Sequence, residues 1–314
     1  MPIWMRGVTR KNVALVAVGI VPWCWFLVRN RLGTFGDLVS LAMPFLAFPG
    51  FTLLAVSAIW VRFRIVAAWC ASFAIVMFFV IFGPRLPVRM GTPADPFTLV
   101  TANVRFDNPT PEAASADLLA LDADVLVVPE ATPTVIETLH PHYEYFVEVE
   151  DPHAVYGTAL FSRFPLDDVT RIDLGNGAVR ATVGAPHPFI VLAAHLDRPS
   201  IAPGNSGYVT HGEHYDEVRA LQAAVADEQL PVIIAGDLNM SDRVRGYRYL
   251  DDRYVDLTRD GWAGTTYITG IYHYFLLRID HVFASAGWCS EHVDEFSITG
   301  SDHRGIRLDV GPCR

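Results

Sequence analysis

The sequence predicts an α/β domain, a four-layer sandwich of two packed β-sheets flanked by helices, preceded by about three transmembrane helices. Two observations carry this. From Phe97 onward, short apolar, β-rich runs alternate with turn formers and with some helical pattern, while before Phe97 the chain is dominated by three long apolar runs. Charge divides at the same place. Nine of the 24 basic residues and only two of the 34 acidic ones precede Phe97, giving about +7 there and about −17 beyond it. All 11 histidines lie in the acidic part. The two parts therefore face different surroundings, and 314 residues suffice for one large domain plus a smaller region.

The apolar runs are Val13–Val28, Leu38–Val61 and Ile65–Phe82. About 20 apolar residues cross the hydrocarbon of a bilayer, roughly 17 when flanking residues snorkel. The second and third runs meet this; the first is at the margin and carries Pro22. A cleaved signal peptide would explain the first run alone but not the two that follow. Residues 1–82 thus read as a three-span membrane anchor, with Arg62-Phe63-Arg64 as a tight turn between spans two and three. Arg6, Arg10, Lys11, Arg62 and Arg64 fall on one side, and Arg29, Arg31, Arg85 and Arg89 on the other. This five-to-four bias puts the N-terminus in the cytoplasm and the C-terminal domain outside it.

Residues 83–96, with four prolines, read as a stiff linker, and 97–314 as the folded domain. Its expected strands are FTLVTANV, DVLVVPE, TALFSR, FIVLAAHL, PVIIAGDLN, IDHVFAS and IRLDV, each a buried run ending in a polar or turn-forming residue. Helical pattern covers Ala113–Leu121 and Asp216–Glu228. Cys24 and Cys70 fall inside apolar runs as small fillers. Cys289 and Cys313 are the remaining pair; in an oxidising compartment they either bridge and pin the C-terminal tail or stand as separate thiols.

The polar residues at the strand ends are Asn103, Glu130, His195, Asp237, Asn239, Asp280, Asp302 and His303. These are the types that bind a hard cation, handle protons or hold phosphate. A single such residue at a strand end is commonly a cap or turn former; many in series are not explained that way. LVTANV, VVPEAT, GTALFSRFPL, AAHLD, AGDLN, RIDHVFAS and SDH, in this order and spacing, resemble the endonuclease/exonuclease/phosphatase superfamily over nearly all of residues 97–310. The membrane spans ahead of the domain resemble the VanJ-type teicoplanin/vancomycin-resistance branch.

The resemblance implies a Mg²⁺-dependent phosphoesterase, with Mn²⁺ as the alternative ion. It implies that Glu130 and Asn103 hold the metal, joined by Asp302. Asp237 would orient or deprotonate the attacking water, and Asn239 would hold that water or a phosphate oxygen. His303 would donate a hydrogen bond to the scissile phosphate, with Asp280 orienting it. His195 stands where the phosphatase and sphingomyelinase branches place a phosphate-contacting histidine and the abasic-site nucleases a tyrosine. Arg105 replaces the acid that those nucleases carry two residues after the Asn103 equivalent, which argues against a second metal and against nuclease activity. Asp107 offers a displaced substitute for that acid.

Other polar residues read as structural. Arg163 is expected in an ion pair bracketing the sheet, His211 and His214 as solvated histidines of a Pro199–Tyr215 loop, and His281 and His292 as packing or surface residues. The acidic domain, with Lys11 the chain's single lysine, argues against a nucleic-acid partner. Tethering beside a bilayer favours a membrane lipid or lipid-linked phosphate or pyrophosphate of the cell envelope. An exported, tethered nuclease and a degenerate binding module are the rival readings, and no protein partner is implied.

Overall fold

A strand buried on both faces needs apolar side chains at successive positions, because neighbours point to opposite sides of the sheet. That is why the runs beyond Phe97 lack polar alternation. The computed structural model describes residues 20–59, 64–88, 91–149, 157–201, 208–261 and 263–314, with the side chains of 47–59, 64–68, 149 and 272 left aside. It divides into two units, one up to Pro84 and one from Arg85 to Arg314.

In the first unit, helix α1 (Gly33–Ile59) packs on α2 (Arg64–Ile81). Trp23, in a helical stretch over 20–28, donates its indole N–H to Ser72 Oγ at 2.6 Å. Phe45, Leu46, Ile75, Phe78 and Phe79 are exposed on these helices. Among the described residues no helix is long and apolar enough to cross a membrane. Residues 13–19 of the first expected span and 60–63, with most of the expected turn, lie outside the described residues, as do the side chains of 47–59 in the second span and 65–68 in the third.

The second unit holds two six-stranded sheets. Its elements in chain order are β1 (Phe97–Thr101), α3 (Pro111–Leu119), β2 (Val125–Val128), α4 (Pro133–Leu139), β3 (Tyr145–Val149), β4 (Thr158–Ser162), β5 (Leu166–Ile172), β6 (Ala178–Val183), β7 (Phe189–His195), β8 (Arg198–Ser200), β9 (Tyr208–Thr210), α5 (His211–Ala223), β10 (Val232–Asp237), α6 (Arg245–Asp251), β11 (Val255–Asp256), β12 (Asp280–Ala284), β13 (Trp288–Ser297) and β14 (Arg304–Pro312). One sheet runs β13-β14-β1-β2-β4-β3 and the other β11-β12-β10-β7-β6-β5. Only β1–β2 and β7–β10 pair in parallel within them; the remaining pairs are antiparallel.

Alternate residues of each central strand feed two cores. Leu99, Val125, Val127 and Leu160 meet Val191, Ala193, Ile233 and Val282 between the sheets. Val100, Leu126 and Phe161 turn outward onto Leu118, Val135 and Leu139 of α3 and α4. On the far side Tyr247 of α6 packs against Phe283. The expected sandwich is therefore present.

Gly236 is required where β10 meets β7. Its φ is +141°, and a Cβ built there would lie 1.9 Å from the Ala194 carbonyl oxygen. Gly236→Ala is expected to cost at least about 3 kcal/mol, from the strained φ and the displaced strand together. Urea unfolding of the two proteins measures it, and a loss under about 1 kcal/mol would refute the close approach.

The segment read as a linker is largely docked. Arg85 is buried, with Nε donating to Asp242 Oδ2 at 2.8 Å and Nη1 to Thr265 Oγ1 at 3.1 Å. Residues 92–94 lie beside the end of β14, where Ala94 N–H donates to Pro312 O at 2.7 Å. Cys289 and Cys313 are bridged, closing a sequence separation of 24. Replacing both by serine is expected to lower unfolding free energy by about 3 kcal/mol, measured by urea unfolding against the oxidised parent; an unchanged midpoint would contradict it.

Candidate active site

The register of three strands assembles the centre. Asp237 ends β10 opposite His195 of parallel β7 and opposite Asp280 of antiparallel β12, so the three residues form one row across the sheet. The facing sheet supplies Asn103 and Glu130 just past β1 and β2, and His303 just before β14. Glu130 and Asn239 sit at φ +55° and +46°, left-handed backbone that non-glycine residues enter at a cost and that concentrates at functional sites.

Asp237 is the hub. Its Oδ2 accepts from Asn103 Nδ2 at 2.9 Å and stands 3.7 Å from both His195 Nε2 and His303 Nε2. Its Oδ1 accepts the Asn239 backbone N–H at 2.9 Å. Asn103 Nδ2 also donates to Glu130 Oε1 at 2.9 Å, so one amide spans two carboxylates. Glu130 Oε2 accepts the Phe106 N–H at 2.8 Å. Asn239 Nδ2 donates to Leu196 O at 2.9 Å and lies 3.3 Å from His195 Nε2.

His303 Nδ1 meets Asp280 Oδ2 at 2.9 Å, both groups buried. Burial by itself would lower the His303 pKa, but the charges of Asp280 and Asp237 outweigh it and push it up to about 10. The ring is then an imidazolium at neutral pH, with Nδ1–H committed to Asp280 and Nε2–H turned toward the Asp237 side. Thr266 Oγ1 fixes the start of β12 by accepting from Ile279 N at 3.0 Å and Asp280 N at 3.2 Å.

Among the described residues, two groups of three have ligand atoms within 4.8 Å of one another: Glu130, His195 and Asp237, and Asp237, Asp280 and His303. The first fits a hard divalent cation. Two carboxylates face each other across a single neutral amide, and a cation relieves that repulsion. In the second, His303 Nδ1 is already engaged by Asp280, which leaves Nε2 as the ring nitrogen facing Asp237. Asn103 turns its amide nitrogen to the carboxylates, while its oxygen accepts the Arg105 N–H at 2.9 Å; in this geometry it positions the acids. Asp302 is half-buried beside His303 and belongs to neither group.

The remaining expectations divide. Arg163 pairs with Asp122 and lies 3.6 Å from Asp124, bracketing the sheet as expected. Asp107 is turned to Arg105 at 2.5 Å. His281 is fully buried and His292 exposed. The solvated-loop reading of His211 and His214 is overturned: both are buried on α5, which starts five residues before the expected Asp216. A reciprocal capping box between Thr210 and Glu213 starts the helix there. His214 Nε2–H donates to Leu238 O at 3.0 Å and so supports the Asp237–Asn239 turn from below. Sequence reasoning missed this role, although Thr-His-Gly-Glu is itself the capping signal that would have found it.

Residues 100–303 match the Endonuclease/Exonuclease/phosphatase family. No curated protein matches the chain. Among solved structures, an endonuclease/exonuclease/phosphatase from Beutenbergia cavernae DSM 12333 is similar at 21% identity and TM-score 0.54, covering 69% of this chain and 72% of that one. D. rerio TDP2 complexed with a single-strand DNA product is similar at 15% identity and TM-score 0.57, over 69% of this chain and all of that one. The human Nocturnin catalytic domain with bound sulfate is similar at 14% identity and TM-score 0.55, over 71% and 97% of the two chains. At these identities the likeness concerns the fold.

Proposed function

Because the chain belongs to the Endonuclease/Exonuclease/phosphatase family, we propose that it is a membrane-anchored, divalent-metal-dependent phosphoesterase of the VanJ-like kind. Its catalytic domain faces out of the cytoplasm, and its substrate is a lipid-linked phosphate or pyrophosphate of the cell envelope. The observation that carries the chemistry is the convergence of Glu130, His195 and His303 on the one carboxylate of Asp237.

Glu130 would hold the cation, Mg²⁺ or Mn²⁺, with the Asp237 carboxylate beside it; when bound, it would supply charge to the phosphate's non-bridging and leaving oxygens. Asp237, steadied by the Asn239 N–H, orients a water and takes its proton. The water oxygen bonds to phosphorus as the bond to the leaving oxygen breaks, and the leaving oxygen takes its proton from solvent while Asp237 returns its own to solvent. His303 Nε2–H donates to the phosphate, and Asp280 keeps that ring charged and aimed. His195 Nε2 contacts the same phosphate from the β7 side.

Support for the anchor comes from the three apolar runs before Phe97 and from Phe45, Ile75, Phe78 and Phe79, which are exposed as a water-facing surface rarely leaves them. Support for an extracytoplasmic domain comes from the Cys289–Cys313 bridge, which an oxidising compartment preserves. The acidic charge beyond Phe97 disfavours DNA.

The test offers the full chain in lipid vesicles, with Mg²⁺, a polyprenyl pyrophosphate, a phospholipid and plasmid DNA side by side. Hydrolysis of the polyprenyl pyrophosphate with DNA intact is expected; efficient nicking of DNA would replace the lipid reading by the tethered nuclease. In intact cells, a protease that cannot cross membranes is expected to cut the domain. Protection until lysis would put the domain in the cytoplasm.

A further inference from the structure

Arg85 is a buried cation supplied from outside residues 100–303, the part of the chain that matches the family. It opens the second unit. Its segment is pinned by the backbone: Ala263 N–H donates to Arg85 O at 3.3 Å, Arg259 Nε to Leu86 O at 3.2 Å, and Val88 N–H to Arg259 O at 2.8 Å. Each nitrogen of its guanidinium is engaged. Nε donates to Asp242 Oδ2 at 2.8 Å, Nη1 to Thr265 Oγ1 at 3.1 Å, and Nη2 to Leu276 O. A planar fork spread over three acceptors acts as a rigid bracket.

Thr265 and Leu276 are the two legs of a loop, residues 264–277, that supports His303. Thr266 N and Tyr267 N donate across it to Leu277 O, at 3.0 and 3.2 Å. Its outer side pairs with the segment that carries His303. Ile268 N donates to Asp302 O at 3.0 Å, Arg304 N donates to Thr266 O at 2.7 Å, and Tyr267 bridges His303 in antiparallel register. The Thr266 hydroxyl also holds the start of β12, where Asp280 meets His303. Leu276 sits at φ +51°, left-handed backbone that a leucine keeps only where its surroundings hold it. Arg85 therefore grips one leg at its strained residue and the other next to Thr266. Asp242, in the loop that follows β10 and Asp237, anchors the bracket at its third point.

We propose that Arg85 is a positioning residue for His303: it ties the loop after Asp237 to both legs of the 264–277 loop and so sets where the His303–Asp280 pair stands. The inference rests on the phosphoesterase reading for its kinetic consequence, whereas the hold on the His303 ring can be measured without turnover. The working domain then begins at or before Arg85 rather than at Phe97, with part of its active-site frame outside the residues that match the family. Lysine at position 85 would keep a charge for Asp242 but could not serve three acceptors as a fork does. Thr265→Val leaves the Arg85–Asp242 pair in place and removes one of the two loop contacts.

The experiment uses the full chain in detergent. Turnover of bis(p-nitrophenyl) phosphate is measured with Mg²⁺, and the His303 ring is followed by NMR of isotope-labelled histidine, its Nδ1–H signal identified by its loss in His303→Gln. Arg85→Lys is expected to lower kcat about 10-fold and Thr265→Val about 3-fold, with KM changed less than about 2-fold in each. Circular dichroism confirms both folds; should Arg85→Lys not fold, Thr265→Val carries the same readouts. In both variants the His303 Nδ1 proton is expected to exchange with water at least about 5-fold faster, because its bond to Asp280 opens more often. In a His303→Gln background, Arg85→Lys is expected to change kcat less than about 2-fold, since residues that act through one another do not add. Full additivity there, which a general structural role predicts, or unchanged proton exchange in a folded variant would overturn the proposal. Faster exchange in the variants of a parent that hydrolyses nothing would keep the positioning role and remove the phosphoesterase reading instead.

Discussion

Glu130→Ala is expected to lower hydrolysis of a phosphodiester such as bis(p-nitrophenyl) phosphate by at least about a thousandfold, roughly 4 kcal/mol of transition-state stabilisation. Chelation of the parent enzyme should do the same. Stability is expected to change little in either case. Glu130 and Asp237 face each other across the Asn103 amide, so deleting one carboxylate removes a repulsion while it orphans the Phe106 N–H. Alanine keeps the same Cβ at the positive φ, so the backbone strain there is unchanged. Thermal unfolding and steady-state kinetics on one preparation separate the two effects. A folded variant that retained more than a tenth of the parental rate would remove Glu130 from the metal site.

The second large effect concerns acid. His214 and His281 are fully buried, and burial, the dominant influence on each, pushes both down to about 4. Unfolded histidine titrates near 6.5, so between these values the unfolded chain binds more protons than the folded one. The stability held in the neutral rings is therefore complete above about pH 6.5 and lost as pH falls toward 4, by up to about 3 kcal/mol for each. Asp242 acts lower. Burial would raise it, but Arg85 and Arg278 outweigh that and hold it at about 2, so its contribution is lost only between about pH 4 and 2. Acid unfolding should thus begin with the histidines. His281→Gln keeps a donor toward Met240 O while removing the titration, so its urea midpoint should fall less steeply between pH 6.5 and 4. Curves parallel to the parent across that window would sink the assignment.

Much of this was legible in the sequence for a definite reason. The strands flanking the site are buried on both faces, so LVT, VLVV and VIIAG could hardly be anything else, and their polar ends announced Asn103, Glu130 and Asp237. β5 was not legible because it is an exposed edge with polar side chains, LDDVTRI. What a residue touches across the fold was harder. Nothing local to Asn103 says that its nitrogen rather than its oxygen faces the acids, since that follows from Arg105 taking the oxygen. Arg85 reads as a flank of the membrane run until Asp242, far along the chain, is seen beneath it.

The position of β1 sets the order in which the chain folds. It lies inside its sheet between β2 and β14, in register Phe97↔Val310 and Thr101↔Ile306. The first strand of the domain therefore waits for the last, and its sheet cannot close until residue 310 has been made. Such long sequence separations slow folding, and the unpaired edge of β1 is exposed meanwhile. A chain emerging from the ribosome would carry that open edge of β1 until β14 has been made. The Cys289–Cys313 bridge likewise joins two residues that meet only after β14 has docked on β13.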